Sequence, residues 1–210
     1  MPLADFQAYE NVLRRRAAGD FQQSLASGSA TRLTDLAITF LPAPAVPTAS
    51  VALGRNSDRA INGLNPTAGA GRMAILGGRL SPSGAGGVAL MLVDVLNISG
   101  GLSGTLTTAQ TTGLPTAALT RYTSGEGVLA ALIIHTSLGT TTATVTCSYT
   151  NQAGVSGRVT PGFVIDGTSR QAGCLRAFPL QAGDTGIRSV ESVTLAGTTG
   201  TAGNFGVVMF

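Results

Sequence analysis

Residues 128–166 read VLAALIIHTSLGTTTATVTCSYTNQAGVSGRVTPGFVID, and this stretch predicts three β-strands joined by turns that contain glycine. In the middle strand the small or apolar side chains of Ala143, Val145, Cys147 and Tyr149 alternate with threonine and serine. A period of two with β-branched residues is typical of a strand that has one buried face and one face in water. The stretch therefore predicts a mainly β body of antiparallel strands.

Short apolar runs separated by glycine turns continue on both sides of this stretch. The predicted strands are residues 72–80, 87–99, 127–137, 141–150, 157–165, 175–180, 186–196 and 205–210. Their spacing suits a β-sandwich or a jelly-roll-like fold, and the sequence does not decide between the two. The run VALMLVDVLNI (88–98) is apolar on both faces, so we expect it to be central in a sheet or buried against a partner. The last predicted strand should tie Phe210 into a sheet.

The chain divides into a predicted N-terminal part, residues 1–70, and a β-sandwich body, residues 71–210. Residues 3–18 have the spacing of a short amphipathic helix, which either belongs to the body or docks on another subunit. The run LPAPAVPTAS (41–50) contains three prolines, and prolines favour an extended segment over a central strand. We therefore expect an extended proline-rich arm between helix and body.

Composition limits the class of protein. Charged residues are 11% and aromatic residues 5% of the chain, there is no Trp, and 29 residues are Gly. A core built from small side chains leaves apolar surface that seeks partners, so we expect a homo-oligomer or another permanent assembly. The net charge is +3, and the basic residues are all arginine. They do not interleave with aromatic side chains as nucleic-acid-binding faces do, so we expect no direct contact with nucleic acid.

Targeting signals and cysteines indicate where the chain is made. The start, MPLADFQAYENVLRRR, lacks the apolar core of a signal peptide, and no run reaches the roughly 18 apolar residues of a membrane span. We therefore expect synthesis in a reducing cytoplasm, no membrane partner, and free thiols at Cys147 and Cys174. A disulfide between the two cysteines remains the alternative, because the strand pairing is not known from the sequence.

Residues that carry chemistry are few and scattered. His135, the single histidine, needs a nucleophile close by to act as a base, and we expect a hydroxyl or carbonyl to satisfy it instead. Asp94 interrupts an apolar run, so we expect an arginine to pair with it. Asp184 is expected to pair with Arg188. The sequence thus predicts no catalytic residue, no metal or cofactor site, no cofactor and no small-molecule substrate.

Three runs of the body resemble virion proteins of tailed bacteriophages that are encoded among the head genes. They are LNISGGLSGTLTTAQTTGLPTAALTRYTSGEGV (96–128), SYTNQAGVSGRVTP (148–161) and PLQAGDTGIRSVESVTLAGTTGTAGNFGVVMF (179–210). The resemblance implies a head-associated structural or decoration (cement) protein, located in the virion and assembled in the host cytoplasm. Its expected partner is the major capsid protein, whose neighbouring subunits it would bridge from the outside of the capsid.

The resemblance brings no active-site residues, and it leaves a second function open. The residues expected at the capsid interface lie in the N-terminal helix and the arm: Phe6, Tyr9, Leu13, Arg14, Arg15, Arg16, Leu41, Pro42, Pro44 and Pro47. The alternative is a β-rich structural or receptor-binding protein of the tail or baseplate. An enzyme is not expected, because it would need a paired acid, a Cys/His pair or a metal cluster.

Overall fold

The computed structural model describes residues 49–52 and 93–210, and all structural statements below refer to them. The described strands are β1 (Val51–Ala52), β2 (Asn97–Ile98), β3 (Ala130–Thr136), β4 (Ala143–Asn151), β5 (Arg158–Val159), β6 (Phe163–Ile165), β7 (Leu175–Ala177), β8 (Ile187–Leu195) and β9 (Asn204–Met209). A 3₁₀ turn at Gly167–Arg170 is the one helical element in these ranges. The described part is therefore mainly β, as predicted. The predicted helix, the proline-rich arm and the strand at 72–80 lie outside it.

The strands form two antiparallel sheets. The first has the order β1-β2-β9-β3-β7, so that β9 lies between β2 and β3. In the second, β4 pairs with β8 along most of its length and with β5 and β6 along its other edge. The backbones of Leu129 and Phe210 exchange two hydrogen bonds of 2.8 and 3.0 Å beside β9. The predicted attachment of Phe210 to a sheet is thereby confirmed.

The predicted strand 157–165 is interrupted in the middle. Thr160 still pairs with β4, because its N–H donates to the Cys147 carbonyl at 2.9 Å and its Oγ1 accepts from the Cys147 N–H at 3.0 Å. Pro161 then has no N–H to donate to the ladder. At Gly162 a Cβ would lie 2.8 Å from Thr144 Cγ2, so a side chain would push against β4. The strand resumes as β6 only after these two residues.

Side chains from both sheets form one hydrophobic cluster. β4 contributes Val145, Cys147 and Tyr149, all fully buried, on the face that the alternation predicted. Each large apolar side chain buried in this way contributes about 1.5–3 kcal/mol to folding. Both cysteines are buried in this cluster as free thiols, which confirms the expectation of unpaired cysteines.

The opposite face of the first sheet is also apolar. Ile98, Ala131, Ile133 and Val208 form a second buried cluster, each no more than 5% exposed. Consecutive apolar residues in β3 therefore point to two different buried clusters. Of the run 88–98 the structure describes residues 93–98: the last three are buried, as expected, but Val93 and Val95 are partly exposed and Asp94 is exposed. Only Asn97 and Ile98 of these are in a strand.

The segment between β2 and β3 covers the free edge of β8. Gln110 pairs with Val193 through two hydrogen bonds of 2.9 and 3.0 Å, and the Val190 N–H donates to the Pro115 carbonyl at 3.0 Å. The Gln110 side chain in turn bonds the backbone of Ser103. Because the edge groups of β8 have partners within the chain, this edge is closed to a further strand.

Candidate interaction surface

Three loops meet beside the start of β8: residues 121–127, 151–157 and 181–186, together termed the loop cluster. Arg188 Nε donates to the carbonyl of Ser124 at 3.0 Å and to that of Gln152 at 2.9 Å. The side-chain oxygen of Gln152 accepts from the backbone N–H groups of Thr185 and Gly186 at 3.1 and 3.3 Å. Two side chains therefore hold all three loops to one another.

The first loop approaches the third loop and the start of β8 too closely for any residue but glycine at two positions. Glu126 and Gly186 form an isolated β-bridge. A Cβ at Gly186 would lie 1.9 Å from the Gly125 carbonyl oxygen, inside any allowed contact. Gly125 has a φ of 71°, and a Cβ there would lie 2.8 Å from the Ile187 carbonyl oxygen. The relative position of the two loops is thus fixed by backbone contacts.

Asp184, in the third loop, lies at the centre of a polar network, and its side chain is 4% exposed. The Tyr149 hydroxyl donates to Oδ2, Arg158 Nε donates to the same oxygen at 2.9 Å, and Asn151 Nδ2 donates to Oδ1 at 2.7 Å. The hydrogen bond from Tyr149 is the main reason that the pKa of Asp184 falls to about 2, with Arg158 and Asn151 acting in the same direction and burial opposing them. The predicted pairing of Asp184 with Arg188 is wrong.

Arg158 replaces Arg188 because of the β4–β5 hairpin. Arg158 pairs in register with Tyr149, so its side chain reaches Asp184 from the neighbouring strand. Arg188, four residues from Asp184 in sequence, is occupied by the carbonyls of Ser124 and Gln152. Burial, followed by the hydrogen bond to Asp184, raises the pKa of Tyr149, so the hydroxyl remains a donor at neutral pH.

The second loop is a tight turn that exposes an apolar side chain. Asn151 Oδ1 accepts from the Val155 N–H at 2.9 Å, and the Asn151 N–H donates to the Val155 carbonyl at 3.0 Å. Gly154 and Gly157 have φ values of 81° and 70°, which side chains disfavour. Val155, which closes the turn opposite Asn151, is 52% exposed.

The first loop presents an aromatic ring to solvent. Tyr122 is 58% exposed and has a φ of 52°, the one positive φ among non-glycine residues of the described ranges. Its carbonyl accepts from the Gly125 N–H at 2.7 Å, which closes the turn. A bulky residue in the left-handed region costs energy and persists only where its surroundings enforce it.

The second sheet has a face of hydroxyl and valine side chains opposite its core. Val159 and Val164, both 45% exposed, flank the partly exposed Thr144 and Thr146 of β4. Glu191, at a β-bulge in β8, accepts hydrogen bonds from the hydroxyls of Ser148, at 3.0 Å, and Thr150. The carboxylate is thus tied to the neighbouring strand.

The residues singled out for possible chemistry have structural partners. His135 Nε2 lies 2.8 Å from the Ser99 carbonyl oxygen, which confirms the expected carbonyl partner. Asp94 forms an ion pair with Arg121, as expected. Burial and the charge of Glu191 raise the pKa of the Cys147 thiol, which holds it in its unreactive form. In the part of the chain that the structure describes, no group of three His, Cys, Asp or Glu residues is placed to hold a metal ion, and no helix is long and apolar enough to cross a membrane.

The predicted interface residues of the N-terminal helix and the arm lie outside the described ranges, so they stay a prediction. The exposed side chains of the loop cluster were not predicted from the sequence. The available signal for Tyr122 was an aromatic residue inside the turn-forming run TRYTSGEG (120–127), where burial is not expected.

Comparisons with known proteins do not assign the chain to a family: no family model, no curated protein and no solved structure matches it.

Proposed function

We propose that this chain is a structural virion protein of a tailed bacteriophage. It binds the outside of the capsid and stabilises contacts between major capsid protein subunits, without catalysis. The resemblance of residues 96–128, 148–161 and 179–210 to head-associated virion proteins supports this function. The expected partners are the major capsid protein and further copies of the chain.

The proposal rests on one observation: polar and charged side chains connect the loops and strands through hydrogen bonds, whereas several apolar side chains on these elements are exposed to solvent. Arg188 and Asp184 connect loops and strands within the described residues. Tyr122, Val155 and Val164 are 58%, 52% and 45% exposed on these elements. An exposed apolar side chain on a rigid support is suited to contact with a partner.

The proposed architecture is a β-sandwich. The hydrophobic cluster that contains Leu132 and Phe205 of the first sheet also contains Val145 and Val193 of the second. A core shared between two antiparallel sheets is the arrangement of that fold. On a capsid, many copies would bind at symmetry-related positions, so that weak individual contacts become a stable coat through avidity.

The copy number of the chain in purified particles tests this function. Quantitative mass spectrometry would compare the chain with the major capsid protein of the same particles. A ratio close to that of the shell protein, or a simple fraction of it, is expected for decoration at every capsomer or symmetry axis. A far smaller ratio would favour the alternative of a tail or baseplate protein. Absence from the particles would refute a virion function.

A further inference from the structure

We infer that the loop cluster is the surface that binds the protein shell, with Tyr122 as its anchor. This inference rests on the proposed function and adds which surface makes the contact. It assigns binding to residues of the described body, in addition to the predicted helix and arm.

Tyr122 combines an exposed position with a strained backbone. Its ring is 58% exposed, so burial does not explain its presence. Its backbone is in the left-handed region at a φ of 52°, which a tyrosine adopts only against a conformational cost. Nearby contacts enforce this conformation, because Glu126 pairs with Gly186 and Ser124 accepts from Arg188. The loop backbone around Tyr122 is thus held in place, and most of the tyrosine lies in solvent.

A tyrosine held in this way suits a protein partner. Tyrosine offers a large contact area, loses little side-chain entropy on binding and carries a hydroxyl for a polar contact. Residues of this type dominate the binding energy of many protein interfaces. Because the loops are already braced, binding would need little further ordering, which improves affinity.

The composition of the three loops favours polypeptide over nucleic acid. Apart from Tyr122 and Val155, the loops consist mostly of Ser, Thr, Gly, Ala, Asn and Gln, the small and polar residues that also occur in antibody binding loops. The arginines in and next to the loops have partners within the chain: Arg188 donates to two backbone carbonyls, Arg121 pairs with Asp94 and Arg158 pairs with Asp184. Nucleic acid would instead require a row of cations available for phosphates.

The test uses the full chain and particles of a phage strain that lacks its gene. Binding of purified wild-type chain to these particles would be titrated and compared with Tyr122→Asn and Leu106→Asn. Asparagine tolerates the left-handed conformation, so Tyr122→Asn removes the ring and keeps the turn. Leu106 is a matched control: it is 50% exposed and lies in the turn that contacts Ala202, beyond the far end of β8.

Removal of the anchor should weaken binding roughly 30-fold, the loss typical of a hot-spot tyrosine. The affinity of Leu106→Asn should stay within about twofold of wild type. Val155→Ser should bind about threefold more weakly, because Val155 is expected at the periphery of the contact. Thermal unfolding of each variant would show that the fold is intact.

The outcomes separate the two proposals. If wild type binds and Tyr122→Asn binds equally well, the loop cluster is not the contact surface, and the proposed function stands. If Leu106→Asn weakens binding to the particles more than Tyr122→Asn does, the contact surface lies near Leu106 and not at the loop cluster, and the inference is again wrong. If wild type itself does not bind, the proposed function fails, and the inference fails with it.

Discussion

Strands β3 and β4 follow each other in sequence and differ in how they use their two faces. β3 reads AALIIHT, and its first five residues are buried, alternately in the shared core and in the cluster on the opposite face. β4 reads ATVTCSYTN and buries every second residue, leaving hydroxyls on the other face. The first sheet therefore uses both faces for stability, whereas the second keeps one face available for contacts outside the chain.

The largest difference in stability should appear when a carboxylate is placed, in each sheet in turn, on the face that points away from the shared core. Ile133→Asp would bury a charge without a partner and should destabilise the fold by about 4 kcal/mol, roughly a thousandfold in the folding equilibrium. Thr146→Asp, on the partly exposed face of β4, should cost less than about 1 kcal/mol. Urea unfolding of both variants measures the difference. Equal losses would contradict the contrast between the sheets.

The two faces of β4 should differ in thiol reactivity by on the order of a hundredfold. Cys147 points into the core with a raised pKa, so the folded wild-type chain should react slowly with a thiol reagent at pH 8. Thr146→Cys places a thiol one residue away on the other face, and one thiol per chain should then react fast. A rapid reaction of the wild-type chain would show that the core opens more easily than the packing indicates.

Loss of the Tyr149 hydroxyl should cost about 1.5 kcal/mol at pH 7, because Asp184 loses a hydrogen bond. The pKa of Asp184 is about 2 in the folded chain and near 4 in the unfolded chain. Its stabilising contribution is therefore complete above about pH 4 and is lost as the pH falls towards 2. Wild type and Tyr149→Phe should thus become more alike in thermal stability across that range. If the difference in thermal stability between the two proteins stays constant as the pH falls, the lower stability of Tyr149→Phe comes from packing instead.

The smallest effect is expected on the hydroxyl and valine face. Val164→Thr keeps the shape of an exposed residue and should change stability by less than about 0.5 kcal/mol. Thr194, also on the second sheet and partly exposed, offers Thr194→Val as the reverse change, with an equally small effect expected. A loss above 1.5 kcal/mol in either variant would mean that this face supports the fold, as it does in the first sheet.

Much of the sheet structure could be predicted because it depends on local pattern. The alternation of β4, the apolar run of β3 and the turn residues around Gly154 each follow from a few neighbouring residues. The interruption between β5 and β6 was visible only as Pro161–Gly162, and the close approach of Thr144 that accompanies it depends on the pairing register.

The polar contacts could not be predicted because they depend on register and loop position. Arg188 is four residues from Asp184 in sequence, but the β4–β5 register places Arg158 at its carboxylate. The loop that carries Tyr122 is attached to the third loop through the bridge between Glu126 and Gly186, which are sixty residues apart. Contacts between residues that are far apart in sequence cannot be predicted from a local sequence pattern.

The central position of β9 has a consequence for the order of events during synthesis. The strands of the second sheet all lie within residues 143–195. The first sheet is complete only when residues 204–209 pair between β2 and β3. The hydrogen bond from the Val207 N–H to Ser99 Oγ, for example, joins residues more than a hundred positions apart. β3 is synthesised well before β9, and until β9 is made the apolar residues of β3 lack this neighbour and are open to aggregation or chaperone binding in the nascent chain.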